Sequence, residues 1–173
     1  MRTNQTTNKA GSKQVPASSE EMDAIALLTD DHEKVKSMFE QYEELGDRAH
    51  ATKQKLAAQI CTELIKHMMA EEEIFYPAFR DADQKDEDLV DEAVVEHASA
   101  KDLIEQILSM DSTDELYDAK VKVLSEMIEH HVKEEEEEMF PKARKLKQLD
   151  LEALGQEIQQ RKDEIDIPLR PQQ

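Results

Sequence analysis

The stretch His67-Met-Met-Ala-Glu71-Glu-Glu-Ile-Phe75-Tyr-Pro77 recurs 64 residues later as His131-Val-Lys-Glu-Glu135-Glu-Glu-Glu-Met-Phe140-Pro141. In each copy a histidine precedes a glutamate by four residues, and residues four apart lie on the same face of an α-helix. An imidazole and a carboxylate stacked in this way suit a first-row metal such as iron or zinc. One copy would be weak evidence, but two copies in register, each followed by proline, predict a metal site.

The composition is that of a helical protein with an acidic surface. Only three of the 173 residues are glycine, whereas alanine, leucine, glutamate and lysine are plentiful, which favours long helices. The formal charge of −19 disfavours nucleic acids and anionic membranes as partners. No apolar run reaches the ~18 residues of a membrane span, and no hydrophobic signal core stands at the N-terminus. We therefore expect a cytoplasmic protein, and its single cysteine, Cys61, excludes an internal disulfide and a cysteine-rich metal site.

Apolar residues step by three and four along four segments, which is the pattern of helices that bury one face. In the first segment His32 fills the gap between Leu28 and Val35, so this histidine belongs to the apolar stripe. A histidine continues the stripe in each of the other three segments as well, at His67, His97 and His131.

These four histidines are expected to lie at one height in an antiparallel bundle, because antiparallel neighbours are level where they are equally far from their turn. The midpoints of consecutive histidines fall between residues 49 and 50, at residue 82 and at residue 114, all within predicted turns. Glu71 and Glu135 then lie one helical turn away, about 6 Å along their helices. The predicted fold class is all-α, an up-down-up-down four-helix bundle with an additional C-terminal helix.

The remaining segments define the boundaries. Residues 1–18 are polar and predicted to be a disordered tail, residues 19–145 to form the bundle, and residues 146–173 to form an amphipathic helix and a tail. This helix is expected to pack on the bundle or against a second subunit. A capping box at residues 18–21 is expected to open the first helix, and Pro77 and Pro141 to kink or end theirs.

Six side chains are the predicted metal ligands: His32, His67, Glu71, His97, His131 and Glu135. The alternative is a polar core network without metal, but two dications would offset the cost of burying two carboxylates beside four histidines. Four nitrogens and two carboxylates suit iron ahead of manganese or zinc, and suit calcium or magnesium poorly. Open coordination positions would remain for oxo, hydroxide, water, O₂, peroxide or NO. His50 and His130 are left out, although His130 could act as an outer partner, and the other glutamates of residues 134–138 are expected to face solvent.

Over about residues 25–143 the chain resembles the hemerythrin-like, or HHE cation-binding, family. The resemblance is carried by His32, the two His-x-x-x-Glu pairs with their Phe/Tyr-Pro sequences, and His97. It implies a non-haem centre of two iron ions with an oxo or hydroxo bridge. It also implies that Glu71 and Glu135 bridge the irons, with His32 and His67 on one iron and His97 and His131 on the other.

One position departs from the oxygen-carrying members, since Lys101 stands where they have a fifth histidine. This argues against reversible O₂ carriage and favours the four-histidine subgroup associated with peroxide, nitric oxide or iron handling. Lys101 is expected to turn toward solvent or toward an acid. A tyrosine that completes the coordination could be Tyr42, Tyr76 or Tyr117.

The expected function is therefore that of a di-iron protein that reacts with or senses O₂, hydrogen peroxide or NO. Whether this includes an enzymatic activity on peroxide or NO is left open, as is the oligomeric state. The alternative is a non-catalytic iron store or iron sensor.

Overall fold

The computed structural model describes residues 23–167, and in this part of the chain all regular structure is helical. The elements are α1 Ala24–Glu43, α2 His50–Ala70, π1 Glu71–Phe75, α3 Tyr76–Ala82, α4 Glu87–Ser109, α5 Tyr117–Glu134, π2 Glu135–Met139, α6 Phe140–Lys145 and α7 Leu151–Glu164. The segments α2, π1 and α3 continue as one rod, as do α5, π2 and α6. With α1 and α4 they form the predicted four-helix bundle, to which α7 is added. None of the helices within residues 23–167 has the length and apolar character that crossing a membrane requires.

The first helix begins at Ala24, where Asp23 is the N-cap and its Oδ1 accepts a hydrogen bond from the Ala26 amide at 2.8 Å. Such a bond satisfies one of the free amides at a helix start. The predicted tail and the predicted capping box, residues 1–18 and 18–21, lie outside the described residues, as does the end of the C-terminal tail, residues 168–173.

Both prolines of the repeat lie inside a rod that continues beyond them, so of the two predicted alternatives, a kink or a helix end, the helix end was wrong. The reason is the π-helical turn that precedes each of them. In π1 the Tyr76 amide bonds to the Glu71 carbonyl, five residues back, and an equivalent bond closes π2. A proline in a regular helix lacks a donor and clashes with a carbonyl four residues back. The wider turn shifts the hydrogen-bond register, and Pro77 and Pro141 then stand at the start of α3 and α6.

Two apolar clusters fill the bundle. The loop-end cluster lies toward the turns that join α1 to α2 and α4 to α5, and it includes Phe39, Ile60, Leu64, Ile104 and Leu124. The far-end cluster lies toward α3 and α6, and it includes Leu28, Phe75, Phe79, Phe140 and Ile158. Each fully buried side chain of this size stabilises the fold by about 1.5–3 kcal/mol. Since Ile158 belongs to α7, this helix packs on its own bundle, against α1, π1 and α2.

A buried lysine connects three helices at the loop end. Lys53 Nζ donates to Asp118 Oδ2 at 2.7 Å, and the Tyr42 hydroxyl donates to Oδ1 of the same carboxylate at 2.7 Å. Burial alone would raise the pKa of Asp118, but the hydrogen bonds from Lys53 and Tyr42 outweigh it and lower that pKa.

We expect Asp118→Asn to lower the free energy of unfolding by about 1 kcal/mol at pH 7, because Lys53 would stay buried without its charged partner. Asp118 is itself largely exposed, which limits the effect. A lowered pKa stabilises the folded state above the usual value of 3.8, and this contribution disappears as the pH falls through the folded value. Urea unfolding at pH 7 and pH 2 measures both effects.

The matched control for this change is Glu129→Gln, which removes the same charge from an exposed position of the same helix. It should alter the free energy of unfolding by less than about 0.5 kcal/mol. A difference between wild type and Asp118→Asn that persisted at pH 2 would contradict the assignment.

Candidate metal centre

Four histidines and two glutamates from all four rods meet in one buried layer between the two apolar clusters. The layer residues are His32, His67, Glu71, His97, His131 and Glu135, and none is more than 6% exposed. Two groups within the layer have donor atoms close enough to share a cation. The structure therefore brings together all six residues that the sequence singled out, at one depth and facing inward.

The first group forms around His32 and His67, whose Nε2 atoms are 3.1 Å apart. Glu135 Oε2 lies 3.2 Å from His32 Nε2, and Glu71 Oε1 lies 3.1 Å from His67 Nε2. Two nitrogens and two carboxylate oxygens thus converge on one point, and they come from three of the four rods.

The second group forms around His97 and His131, whose Nε2 atoms are 2.9 Å apart. Glu71 Oε2 lies 3.3 Å from His97 Nε2, and Glu135 Oε1 lies 3.5 Å from His131 Nε2. Each glutamate therefore directs one oxygen to each histidine pair, which is the arrangement of a carboxylate that bridges two cations.

Two oxygens of the layer, Glu71 Oε1 and Glu135 Oε2, are fully buried and accept no well-directed hydrogen bond, although an imidazole Nε2 lies within 3.2 Å of each. Both face the His32–His67 pair. A buried carboxylate oxygen without a partner is costly, and a cation held by the two glutamates and the adjacent imidazoles would satisfy both atoms. The donor set therefore fits a metal pair better than it fits a closed polar network.

Each layer histidine donates its other ring nitrogen, Nδ1, to an outer carboxylate. The pairs are His32 with Glu136 at 2.8 Å, His67 with Asp31 at 3.0 Å, His97 with Glu72 at 2.8 Å and His131 with Glu96 at 2.6 Å. Such bonds fix the tautomer and leave Nε2 free for a metal. Sequence reasoning missed the role of these four acids. A signal was present for Asp31 and Glu96, because each immediately precedes the first histidine of its half.

Glu136 was expected to face solvent. Its side chain is 36% exposed, but its carboxylate still contacts His32. His130 is exposed and lies 3.4 Å from Glu96 and 3.2 Å from Glu134. It therefore contacts the acid that holds His131. His50 lies at the loop end, 3.2 Å from the Ser112 carbonyl, and takes no part in the layer.

The charges of the glutamates control protonation of the layer when no cation is bound. Burial alone would lower the pKa of His67, but the charge of Glu71 and the bond to Asp31 raise it to about 10. Burial acts in the same way on His131, and Glu135 with Glu96 raises its pKa to about 9. At neutral pH the metal-free layer holds protons that a binding cation displaces.

Tyr76 lies within the second group. Its hydroxyl donates to Glu135 Oε1 at 2.6 Å and lies 3.3 Å from Glu71 Oε2, and it is 3.2 Å from His97 Nε2 and 3.4 Å from His131 Nε2. Burial, with the charges of both glutamates, raises the pKa of this phenol well above its usual value of 10.0. The hydroxyl therefore keeps its proton unless a cation replaces it.

The other predicted positions lie outside the layer. The Tyr42 hydroxyl bonds to Asp118, and Tyr117 is buried in the loop-end cluster, which leaves Tyr76 as the tyrosine at the site. Cys61 lies in the same cluster, where burial raises the pKa of its thiol to about 12. Lys101 points toward an acid, which was one of the two expected orientations. Its Nζ donates to both oxygens of Glu72, at 2.8 and 2.6 Å.

Comparison with known proteins agrees with this geometry. Residues 23–143 match the family model described as the hemerythrin HHE cation binding domain. The fold is similar to the crystal structure of a hemerythrin HHE cation binding domain-containing protein from Mycobacterium kansasii. The TM-score is 0.67 and the sequences are 23% identical, over 82% of this chain and 85% of that one.

A protein of Nostoc sp. (strain PCC 7120) named DNA nickase is 28% identical over 123 residues, which is 70% of this chain. The chain spans about a third of the length of that relative, 33%. Helix α7 lies beyond the residues that match the family model.

Proposed function

The chain belongs to the hemerythrin HHE cation-binding domain family, and from this premise we propose that it is a non-haem di-iron protein that reacts with small oxidants such as O₂, hydrogen peroxide or NO. The observation that carries the proposal is the division of two buried carboxylates between two histidine pairs, with two carboxylate oxygens that accept no well-directed hydrogen bond. The unit that holds the centre is proposed to be residues 19–145.

In this proposal His32 and His67 would hold one iron and His97 and His131 the other, and Glu71 and Glu135 would each offer one carboxylate oxygen to each iron. A set of four imidazoles and two carboxylates suits iron. When bound, iron supplies one-electron redox chemistry and open positions for a small ligand.

The chain's own residues would control the surroundings of the centre. The outer carboxylates keep each Nδ1 protonated, so that all four Nε2 atoms face the layer. The Tyr76 hydroxyl can hold or release a proton next to Glu135, at the metal position formed by His97 and His131. The two apolar clusters exclude bulk water from both ends.

A small cavity supports the choice of small ligands. It has a volume of about 10 Å³ and lies beside His32, His67 and His131, with Val35, Leu64, Met68, Ile128 and Val132 among its other lining residues. This is about the space that one water molecule needs. A cavity of this size is far too small for organic substrates, and molecules of two to four atoms come nearest to fitting it.

We expect the protein to bind iron under anaerobic conditions, to change its absorption spectrum when hydrogen peroxide is added, and to consume peroxide, with the bound Fe²⁺ as the source of the two electrons that each peroxide takes up on reduction to water. The measurements are the iron content, the ultraviolet–visible spectrum and the remaining peroxide, with metal-free protein as the control. Stable iron without any reaction, together with loss of helicity on chelation, would favour the alternative, an iron store or sensor. Protein that takes up no iron would contradict both functions.

A further inference from the structure

The C-terminal helix contacts one of the outer carboxylates of the metal centre. Lys162 of α7 donates from Nζ to Asp31 Oδ1, while Asp31 Oδ2 accepts from His67 Nδ1 at 3.0 Å. The lysine side chain is 16% exposed and the aspartate 14%. A continuous chain of hydrogen bonds thus runs from α7, outside the matched family region, to a layer histidine.

Packing fixes where Lys162 lies. Ile158, one turn earlier, is fully buried in the far-end cluster. The neighbouring Arg161 pairs with Glu73, with Nε 2.5 Å from Oε2 and Nη2 3.2 Å from Oε1. Because α7 is held by apolar contacts and by this ion pair, Lys162 does not depend on Asp31 for its position.

The two histidine pairs differ in this respect. In the first pair the acid behind His67 is engaged by a lysine of α7. In the second pair the acid behind His97 is engaged by Lys101, which belongs to the bundle itself. Among residues 23–167, only one of the two metal positions is therefore connected by hydrogen bonds to a segment outside the four rods.

We propose that Lys162 is a positioning residue for the metal position formed by His32 and His67, so that docking of α7 limits how fast the cation at that position exchanges. The proposal rests on the metal-binding function proposed above. With both oxygens engaged, the Asp31 carboxylate is held in place and keeps the His67 ring directed at the layer. Without Lys162, one oxygen is free, Asp31 can turn toward water, and His67 loses the partner that fixes its orientation.

Charge alone predicts the opposite effect. Removal of a positive side chain near the site would strengthen the attraction for a cation and slow its release. Faster release after loss of Lys162 therefore distinguishes positioning from electrostatics. A matched control is available in Arg161→Gln, which removes one positive charge from the adjacent position, where the partner Glu73 makes no bond to a layer histidine.

The test uses the full chain loaded with two Co²⁺ ions and challenged with excess EDTA, while the cobalt absorption and the metal content are followed. In Lys162→Met we expect one cobalt to leave about 5- to 10-fold faster than in wild type and the second cobalt to leave at the wild-type rate. Arg161→Gln should behave as wild type, and Lys162→Arg should restore slow release. Circular dichroism checks that each variant is folded.

Unchanged rates in Lys162→Met would overturn the inference. So would equal acceleration in Lys162→Met and Arg161→Gln, since that result assigns the effect to loosening of α7 as a whole. Joint acceleration of both cobalt ions would also overturn it, because the connection reaches only one position. Wild-type protein that takes up no cobalt would overturn the proposed function itself, and the loading step reports this before any chelator is added.

Discussion

The double variant His67→Ala with His131→Ala is expected to lose metal binding, with an affinity at least about 100-fold below that of wild type. Each substitution removes one of the two imidazoles of a histidine pair, and loss of an outer partner alone costs about 10- to 100-fold in affinity. The apolar clusters on both sides of the layer are untouched, so the variant should still fold. Metal content after loading with Fe²⁺ and desalting measures the effect.

The control is His50→Ala, which removes a histidine that takes no part in the layer. His50 lies at the loop end, 3.2 Å from the Ser112 carbonyl. This control should retain the wild-type metal content. Full retention of iron in the His67/His131 variant would contradict the ligand assignment.

Removal of metal from the wild-type protein is expected to lower its melting temperature by about 15 °C or more. Each of two cations that bind only the folded chain stabilises it by about 4 kcal/mol at 1,000 times its dissociation constant, which gives about 8 kcal/mol together. For a chain of this size about 1 kcal/mol corresponds to 2–4 °C. In the metal-free layer, Glu71 Oε1 and Glu135 Oε2 accept no well-directed hydrogen bond and are left with their contacts to His67 and His32. Melting curves with and without chelator give the difference.

The difference in melting temperature between the metal-loaded and the metal-free protein should increase as the pH rises from 7 to 10. In the metal-free protein the pKa of His67 is raised to about 10 from the usual 6.5. A raised pKa contributes stability that is complete below the unfolded value and is lost as the pH rises through the folded value. The loaded protein holds a cation in place of this proton and does not lose that contribution. A melting temperature that chelation leaves unchanged, at metal contents near zero, would contradict the account.

The positions of the six layer residues could be predicted because helical geometry constrains them twice. The period of the apolar stripe determines the face on which a residue lies, and the distance to a turn determines its height. His97 illustrates this, because it has no glutamate four residues later and was identified by period and height alone. The extra C-terminal helix was also predicted. Its apolar stripe did not show whether the helix packs on its own bundle or on a second subunit, and the structure places α7 on its own bundle.

The role of Tyr76 could not be predicted because it depends on the π-helical turn. In a regular α-helix, residues five apart point roughly 140° away from each other, so Tyr76 would face away from Glu71. The i→i+5 bonding of π1 brings these two residues close to the same face. Nothing in the local sequence distinguishes this turn from a helix that simply ends at a proline.

The outer carboxylates escaped prediction for a different reason. Glu72 and Glu136 lie one residue beyond the stripe, at positions that the helical period assigns to the wet face. That assignment is correct for the backbone, but a glutamate side chain is long enough to reach back to an imidazole on a neighbouring rod. Helical periodicity predicts the face of the helix from which a side chain leaves the backbone. Only the packed structure shows which group the end of that side chain contacts.

The most direct test of the account is the iron content of the purified chain after anaerobic loading with Fe²⁺ and desalting, determined by mass spectrometry of the metal together with the protein concentration. The two donor groups of the layer predict about two iron ions per chain, all with nitrogen and oxygen ligands. A ratio of iron to protein near zero in folded protein would contradict the claim that these six side chains bind cations.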